Sequence, residues 1–173
     1  MDSVERFAAV ARDFERWIVD GVDEGADAAR EALTQLLRLY SHGLELPEAW
    51  SEDLESGSEV EQLTEPEWRK AAEGCKRLPL DLYSTIFNPI ETTDVAPVTG
   101  SLVDDVTDIY RDIAEGLRAY EGGNRASAVW EWSFGLHSHW GAHATSAIRA
   151  LHGWLVENAI DRLSIPRDER PAR

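Results

Sequence analysis

Apolar residues in this chain recur three and four positions apart from end to end, and strand-type alternation is almost absent. Such a pattern leaves packed helices as the main way to bury a core. The first stripe is Phe7, Val10, Phe14, Trp17 and Ile18, in a helix that Ser3 can cap. A break at 20–25, "DGVDEG", precedes a second helix with Ala29, Leu33, Leu36, Leu37 and Tyr40 on one side. Gly43 stands where a left-handed C-terminal cap belongs. Residues 130–156 are apolar on two sides of the helical wheel, which points to a buried rod.

Capping chemistry and helix breakers set the other limits. Residues 44–63 form an acidic connector with seven acids and no Lys or Arg, in which Leu44, Leu46 and Trp50 are anchor points. Thr64 and Glu67 spell a capping box with a proline in the first turn, opening a third helix that runs past Cys75 towards Pro79. "LDLYSTIF" at 80–87 reads as a short helix and 91–100 as an irregular loop. Ser101 and Asp104 open a helix running to about Tyr120. After "EGGN", a final helix extends from about Arg125 to Leu163, bent at Gly141 and Gly153 and closed by Pro166. The expected molecule is one all-α domain over residues 1–165, a bundle of five or six helices with the long C-terminal helix central. Residues 166–173 are expected to be a disordered tail.

Composition narrows the function. Thirty-three acids against 17 Lys and Arg give a formal charge of −16, a surface that repels nucleic acid and anionic lipid. No apolar run approaches a membrane span, and the charged N-terminus does not resemble a signal peptide, so the cytoplasm is the expected compartment. Cys75 alone allows no internal disulfide and no cysteine zinc cluster. The seven tryptophans need partners for their indole N–H groups. G-x-S-x-G, Walker A and G-x-G-x-x-G motifs are all missing.

The chemistry concentrates in the last third. On one stripe of the final helix lie Trp132, Leu136, His139 and His143, with the two histidines four apart and facing inward. The helix before it carries Asp105 and Asp112 along one edge of its own apolar stripe, with Asp108 a step further out. A short turn makes the two helices antiparallel neighbours, so these carboxylates can meet the imidazoles. Three readings follow. One is a buried Asp–His network holding the helices in register. Another is a divalent metal site with His139 and His143 as nitrogen ligands and Asp105, Asp108 or Asp112 as oxygen ligands, although Trp140 after His139 rules out HExxH. The last is an aromatic pocket of Trp132, Tyr110 and Trp140, with Arg149 ready for a carboxylate or phosphate. His42 suits a helix end, and His137 and His152 lie on the second apolar stripe as packing residues.

Two segments, "GSLVDDVTDIYRDIAEGL" and "AVWEWSFGLHSHWGAHATSAIRALH", resemble the bacterial family known as domain of unknown function 5063. The resemblance extends from "FAAVARDFERWI" onward. It implies an all-helical single domain with no assigned activity. A second resemblance is to the all-α nucleoside-triphosphate pyrophosphatases of the MazG type, which hold magnesium with acidic pairs on facing helices. Glu24 with Asp27, and Asp105 with Asp108, have that spacing, but the pairs are about 80 residues apart, further than in that family. The expected function is non-catalytic binding of a protein partner or small molecule, with no cofactor. Its rival is a divalent-metal-dependent hydrolase of a phosphorylated small molecule, with an Asp/His site between the last two long helices.

Overall fold

Caps and breakers place the helices of this computed structural model, which describes residues 1–22, 25–48, 60–93 and 96–162, the last four by backbone alone. Helix α1 spans Ser3–Asp20. Its cap is Asp2, one residue before the expected Ser3: the Asp2 carboxylate accepts from Glu5 N, and Glu5 reaches back to Asp2 N, both at 2.9 Å. Helix α2 spans Gly25–Gly43 and α3 spans Glu65–Cys75. At the start of α3 the Glu67 carboxylate accepts from the amide of Thr64, the return half of a capping box, and also from the Thr64 hydroxyl. Helix α4, Leu102–Glu121, is capped by Ser101 Oγ, which accepts from Asp104 N at 3.1 Å. A turn with Gly123 at φ +85° leads into α5, Arg125–Ser138.

The long C-terminal helix is two helices. Helix α5 stops at His139, whose backbone at φ −146° and ψ −83° is not helical, and α6 resumes over Trp140–Arg162. Glycine permits the tight restart. A Cβ on Gly141 would lie 2.0 Å from the Leu136 carbonyl oxygen. The break also widens the buried face, since Ala147 stays buried on the stripe of Trp132 and Leu136. Before it Trp132 and Leu136 are buried while Phe134 is exposed and stacks on Trp130; after it Gly141, Ala144 and Leu151 turn inward. Gly153 lies within an unbroken stretch of α6.

A small antiparallel sheet replaces the expected helix at 80–87. Strand β1, Leu82–Thr85, pairs with β2, Val98–Ser101, which takes over the end of the expected 91–100 loop. Tyr83 is opposite Gly100, and its ring occupies the space a Cβ there would need. Asp81 fastens the sheet to α4, its carbonyl accepting from Leu102 N at 2.7 Å and its carboxylate from Ser101 Oγ at 2.8 Å.

The result is an all-α bundle with six helices among the described residues. Helix α4 packs against α1, α3, α5 and α6, and α6 packs against α2 as well, so α4 and the split C-terminal rod share the middle. Trp132 and Trp140 are fully buried with Phe7, Phe14, Leu36 and Ile109. Trp132 Nε1 donates to the Ile113 carbonyl and Trp140 Nε1 to the Trp132 carbonyl. Among the described residues the buried Trp68 Nε1 has no partner. Gly43 is helical, not left-handed, and its bare Cα admits Trp140, whose Cη2 a Cβ would meet at 2.7 Å. Of the connector, Leu46, Val60 and Leu63 pack on the core and Leu44 is exposed. Trp50, Glu24, the stop at Pro166 and the 166–173 tail lie outside the described residues.

Glycine at the α4–α5 contact is a packing requirement. A Cβ on Gly116 would stand 2.2 Å from Trp132 Nε1, inside a side chain with no room to retreat. Gly116→Ala is expected to destabilise the fold by about 1–3 kcal/mol through overpacking, despite alanine's better helix propensity. Urea denaturation followed by tryptophan fluorescence measures it; an unchanged or higher midpoint would mean Trp132 is not held as described.

Candidate functional site

Helical spacing sets Asp105, Asp108 and Asp112 on one flank of α4. Facing them, the α5–α6 break brings His139 to Asp112, and the first turn of α6 brings His143 to Asp105. The His139 Nδ1–Asp112 Oδ2 distance is 2.6 Å and the His143 Nδ1–Asp105 Oδ1 distance is 2.8 Å. A carboxylate accepts, so in each pair the ring Nδ1 carries the hydrogen, and in the neutral ring Nε2 keeps its lone pair. The two rings meet edge to face with centroids 4.8 Å apart.

Asp108 completes the group. Its Oδ1 accepts from Arg111 Nη2 at 3.0 Å, while Oδ2 faces His143 Nε2 at 3.9 Å. One donor atom each from Asp108, His139 and His143 lie within 4.8 Å of one another. Ligands about 2.1 Å from one tetrahedral ion sit about 3.4 Å apart, so small side-chain rotations bring these three to a metal. The supporting carboxylates lie deeper than the ligand atoms: the Asp105 side chain is 10% exposed and Asp112 18%, against 29% for His143 and 40% for His139. The histidines are therefore half-exposed at an open face, not buried as their stripe suggests.

Behind the first ring of contacts stands a second. The Tyr83 hydroxyl donates to Asp105 Oδ2, so that carboxylate is held from both sides. Burial, with Asp105 next, pushes the Tyr83 phenol well above its usual range, which keeps it a donor. Arg111 also lies 4.0 Å from Asp112 Oδ1. The hydrogen bond to Asp105 raises the His143 pKa against the opposing effect of burial, and the charges of Asp105, Asp108 and Asp112 add to the rise. Sequence patterning misses Tyr83 and Arg111. Tyr83 is reached only through strand pairing across Gly100, whereas Arg111, three residues after Asp108, has a legible helical spacing.

The remaining sequence candidates are elsewhere. Trp132, Tyr110 and Trp140 are packed in the core, Trp132 with Phe7 at 4.8 Å and Tyr120 at 5.9 Å between centroids. A cavity among them would forfeit the dispersion contacts that hold them there. Arg149 is not beside those rings. It lines a separate cleft with Tyr83, Ser146 and Trp154. His137 and His152 are exposed, and His42 Nδ1 is 2.9 Å from the Arg38 carbonyl at the end of α2. Asp27 sits on the surface in a 2.9 Å bridge to Arg30, so its acid-x-x-acid spacing contributes no ligand to the cluster.

A helical bundle with a surface cluster of two carboxylate-backed histidines and a third acid is the class of object that fold and site define. The chain belongs to the family described as domain of unknown function (DUF5063), whose pattern matches residues 1–157. Its fold is similar to the crystal structure of protein BF1032 from Bacteroides fragilis, a structural-genomics target. The TM-score is 0.70 at 18% identity, over 99% of this chain and 96% of that one. No curated protein matches the sequence. Among the described residues no helix is long and apolar enough to cross a membrane.

Near the cluster, Glu131 on α5 is half-buried, and its carboxyl is pushed up to about 6 by burial and then by Glu115 and Asp112. Its folded pKa lies above its unfolded one, so the folded state gains from its protonation at low pH and loses that gain as pH climbs through about 6. Glu131→Gln is expected to stabilise the protein at neutral pH by on the order of 1 kcal/mol after solvent screening, with the advantage vanishing below the unfolded glutamate pKa. Thermal melts of both proteins across acid to neutral pH check it. A constant offset with pH would show that Glu131 is not strained.

Proposed function

We propose that this protein binds a divalent transition-metal ion through His139, His143 and Asp108, leaving coordination positions open to water or a small ligand. The observation that carries the reading is that both imidazoles give Nδ1 to a carboxylate, which leaves Nε2 of each neutral ring as its ligand atom, while donor atoms of His139, His143 and Asp108 lie within 4.8 Å of one another. Metal-bound histidines have this outer-shell partner, which fixes the tautomer and raises the basicity of the ligating nitrogen. Two histidines and one carboxylate suit zinc or iron(II). Structural zinc sites close their fourth position with protein, whereas three ligands at an exposed face leave room for chemistry. In that arrangement a bound ion would polarise water, in support of the hydrolysis of a phosphorylated small molecule. Tyr83, Asp105 and Asp112 orient the ligands, and Arg111 offsets the carboxylate charge.

A second reading is favoured by the fact that the pairs are already complete without an ion. In it the Asp–His bonds pin α4 to the α5–α6 rod in a non-catalytic, cytoplasmic domain that binds another protein or a small molecule. In both readings the acidic surface disfavours nucleic acid and membrane partners.

Metal titration separates the two. Chelator-treated protein is expected to take up one equivalent of zinc or iron(II) by calorimetry and to melt higher with the ion than without. His143→Ala abolishes the uptake, and Asp105→Asn weakens it by about 10–100-fold. Protons compete for the His143 Nε2, whose pKa is raised, so affinity falls as pH drops through that raised value and levels off above it. No stoichiometric uptake, with chelator leaving the melting point of the purified protein unmoved, would leave only the structural reading.

A further inference from the structure

We infer that the cleft between β1 and the second half of α6 binds a small molecule with a phosphate or carboxylate group on a flat apolar body, the anion held by Arg149. The cleft encloses about 510 Å³, within the range of roughly 300–1,000 Å³ in which small-molecule sites fall. Leu80, Leu82 and Trp154 provide its apolar surface, and Ser84, Thr85 and Ser146 are its hydroxyl residues besides Tyr83, whose own hydroxyl is given to Asp105.

Two observations point to a ligand. The first is Arg149. In this acidic protein Arg6, Arg12, Arg38, Arg111, Arg118 and Arg125 each reach a carboxylate; among the described residues Arg77 and Arg149 do not, and of these two it is Arg149 that lines the cleft. A guanidinium beside hydroxyl groups offers the bidentate fork that phosphate and carboxylate fit. The one acid in the wall, Glu157, already has an interaction of its own. The overall charge of −16 does not forbid an anion here, since charges beyond about 8 Å are largely screened at physiological salt.

The second is Gly153. Glycine weakens a helix interior, and its usual justification is a close neighbour that excludes a Cβ. At Gly43, Gly116, Gly135 and Gly141 such a neighbour is present within the fold. At Gly153, in the wall of the cleft, no described residue lies within 4 Å of where a Cβ would be. Among the described residues no packing accounts for this glycine. It leaves bare backbone beside Arg149 and Trp154, where the flat body of a ligand can lie close.

The test is calorimetric titration of the full chain with phenyl phosphate, phenylacetate and neutral benzyl alcohol. At least one of the two anions is expected to bind saturably and the alcohol not, and the stronger anion identifies the preferred group. Arg149→Gln is expected to weaken that binding by about tenfold or more. Gly153→Leu fills the cleft and abolishes binding, and because the site has room its melting point does not fall. Zinc uptake is run on both variants and is expected to be unchanged, so a failed cleft and a failed metal centre are read separately. Failure of both anions to saturate the native protein, or equal binding in either variant, would overturn the inference.

Discussion

The indole of Trp140 organises the C-terminal half of the molecule. It is fully buried in a slot that only glycines leave open: a Cβ at Gly43 on α2 would meet it at 2.7 Å and one at Gly135 on α5 at 2.8 Å. To enter that slot the chain must leave the helix at His139 and restart at once, which Gly141 allows by passing against the Leu136 carbonyl. Its N–H then closes on the Trp132 carbonyl, and Trp132 in turn is seated against Gly116 of α4. One large side chain thus ties α2, α4, α5 and α6 to a common geometry. The non-helical backbone at the break is what presents His139 to Asp112, while His143, a turn into α6, meets Asp105.

The polar cluster is built in layers on that frame. Deep carboxylates hold the rings, the rings point outward, and Asp108 stands beside them with one oxygen on Arg111 and the other towards His143. Tyr83 joins the layers to the small sheet. Its ring crosses Gly100, its hydroxyl braces Asp105, and it also lines the cleft that contains Arg149. The candidate metal centre and the cleft are therefore neighbours through one residue. Low exposure at the base and high exposure at the rim is the arrangement by which a protein fixes donor atoms while leaving them accessible.

Much of this was legible in the residues. Three- and four-residue spacing defines α1, α2 and α4, and the Thr64–Glu67 and Ser101–Asp104 caps mark two starts correctly. The i, i+3 and i+7 acids of α4 and the i, i+4 histidines suggest that carboxylates and imidazoles meet; which acid holds which ring comes from the fold. What escaped was tertiary. No periodicity distinguishes one long rod from two helices broken at His139, because the break is decided by where Trp140 finds room. "LDLYSTIF" has apolar spacing compatible with a helix, and only pairing with 98–101 makes part of it a strand. The tryptophans that suggested a ligand pocket are the filling of the core. Arg149, on the polar strip of the wheel, lines a cleft whose other wall is β1, a neighbour that helical periodicity does not reveal.

The most direct test of this account is the protonation of the two imidazoles, read from long-range ¹H–¹⁵N correlations of the histidine rings in metal-free protein above the His143 titration. The hydrogen is expected on Nδ1 in both His139 and His143, donated to Asp112 and Asp105, with Nε2 bare. Spectra with the hydrogen on Nε2, or rapid exchange between both tautomers as in a free imidazole, would contradict it.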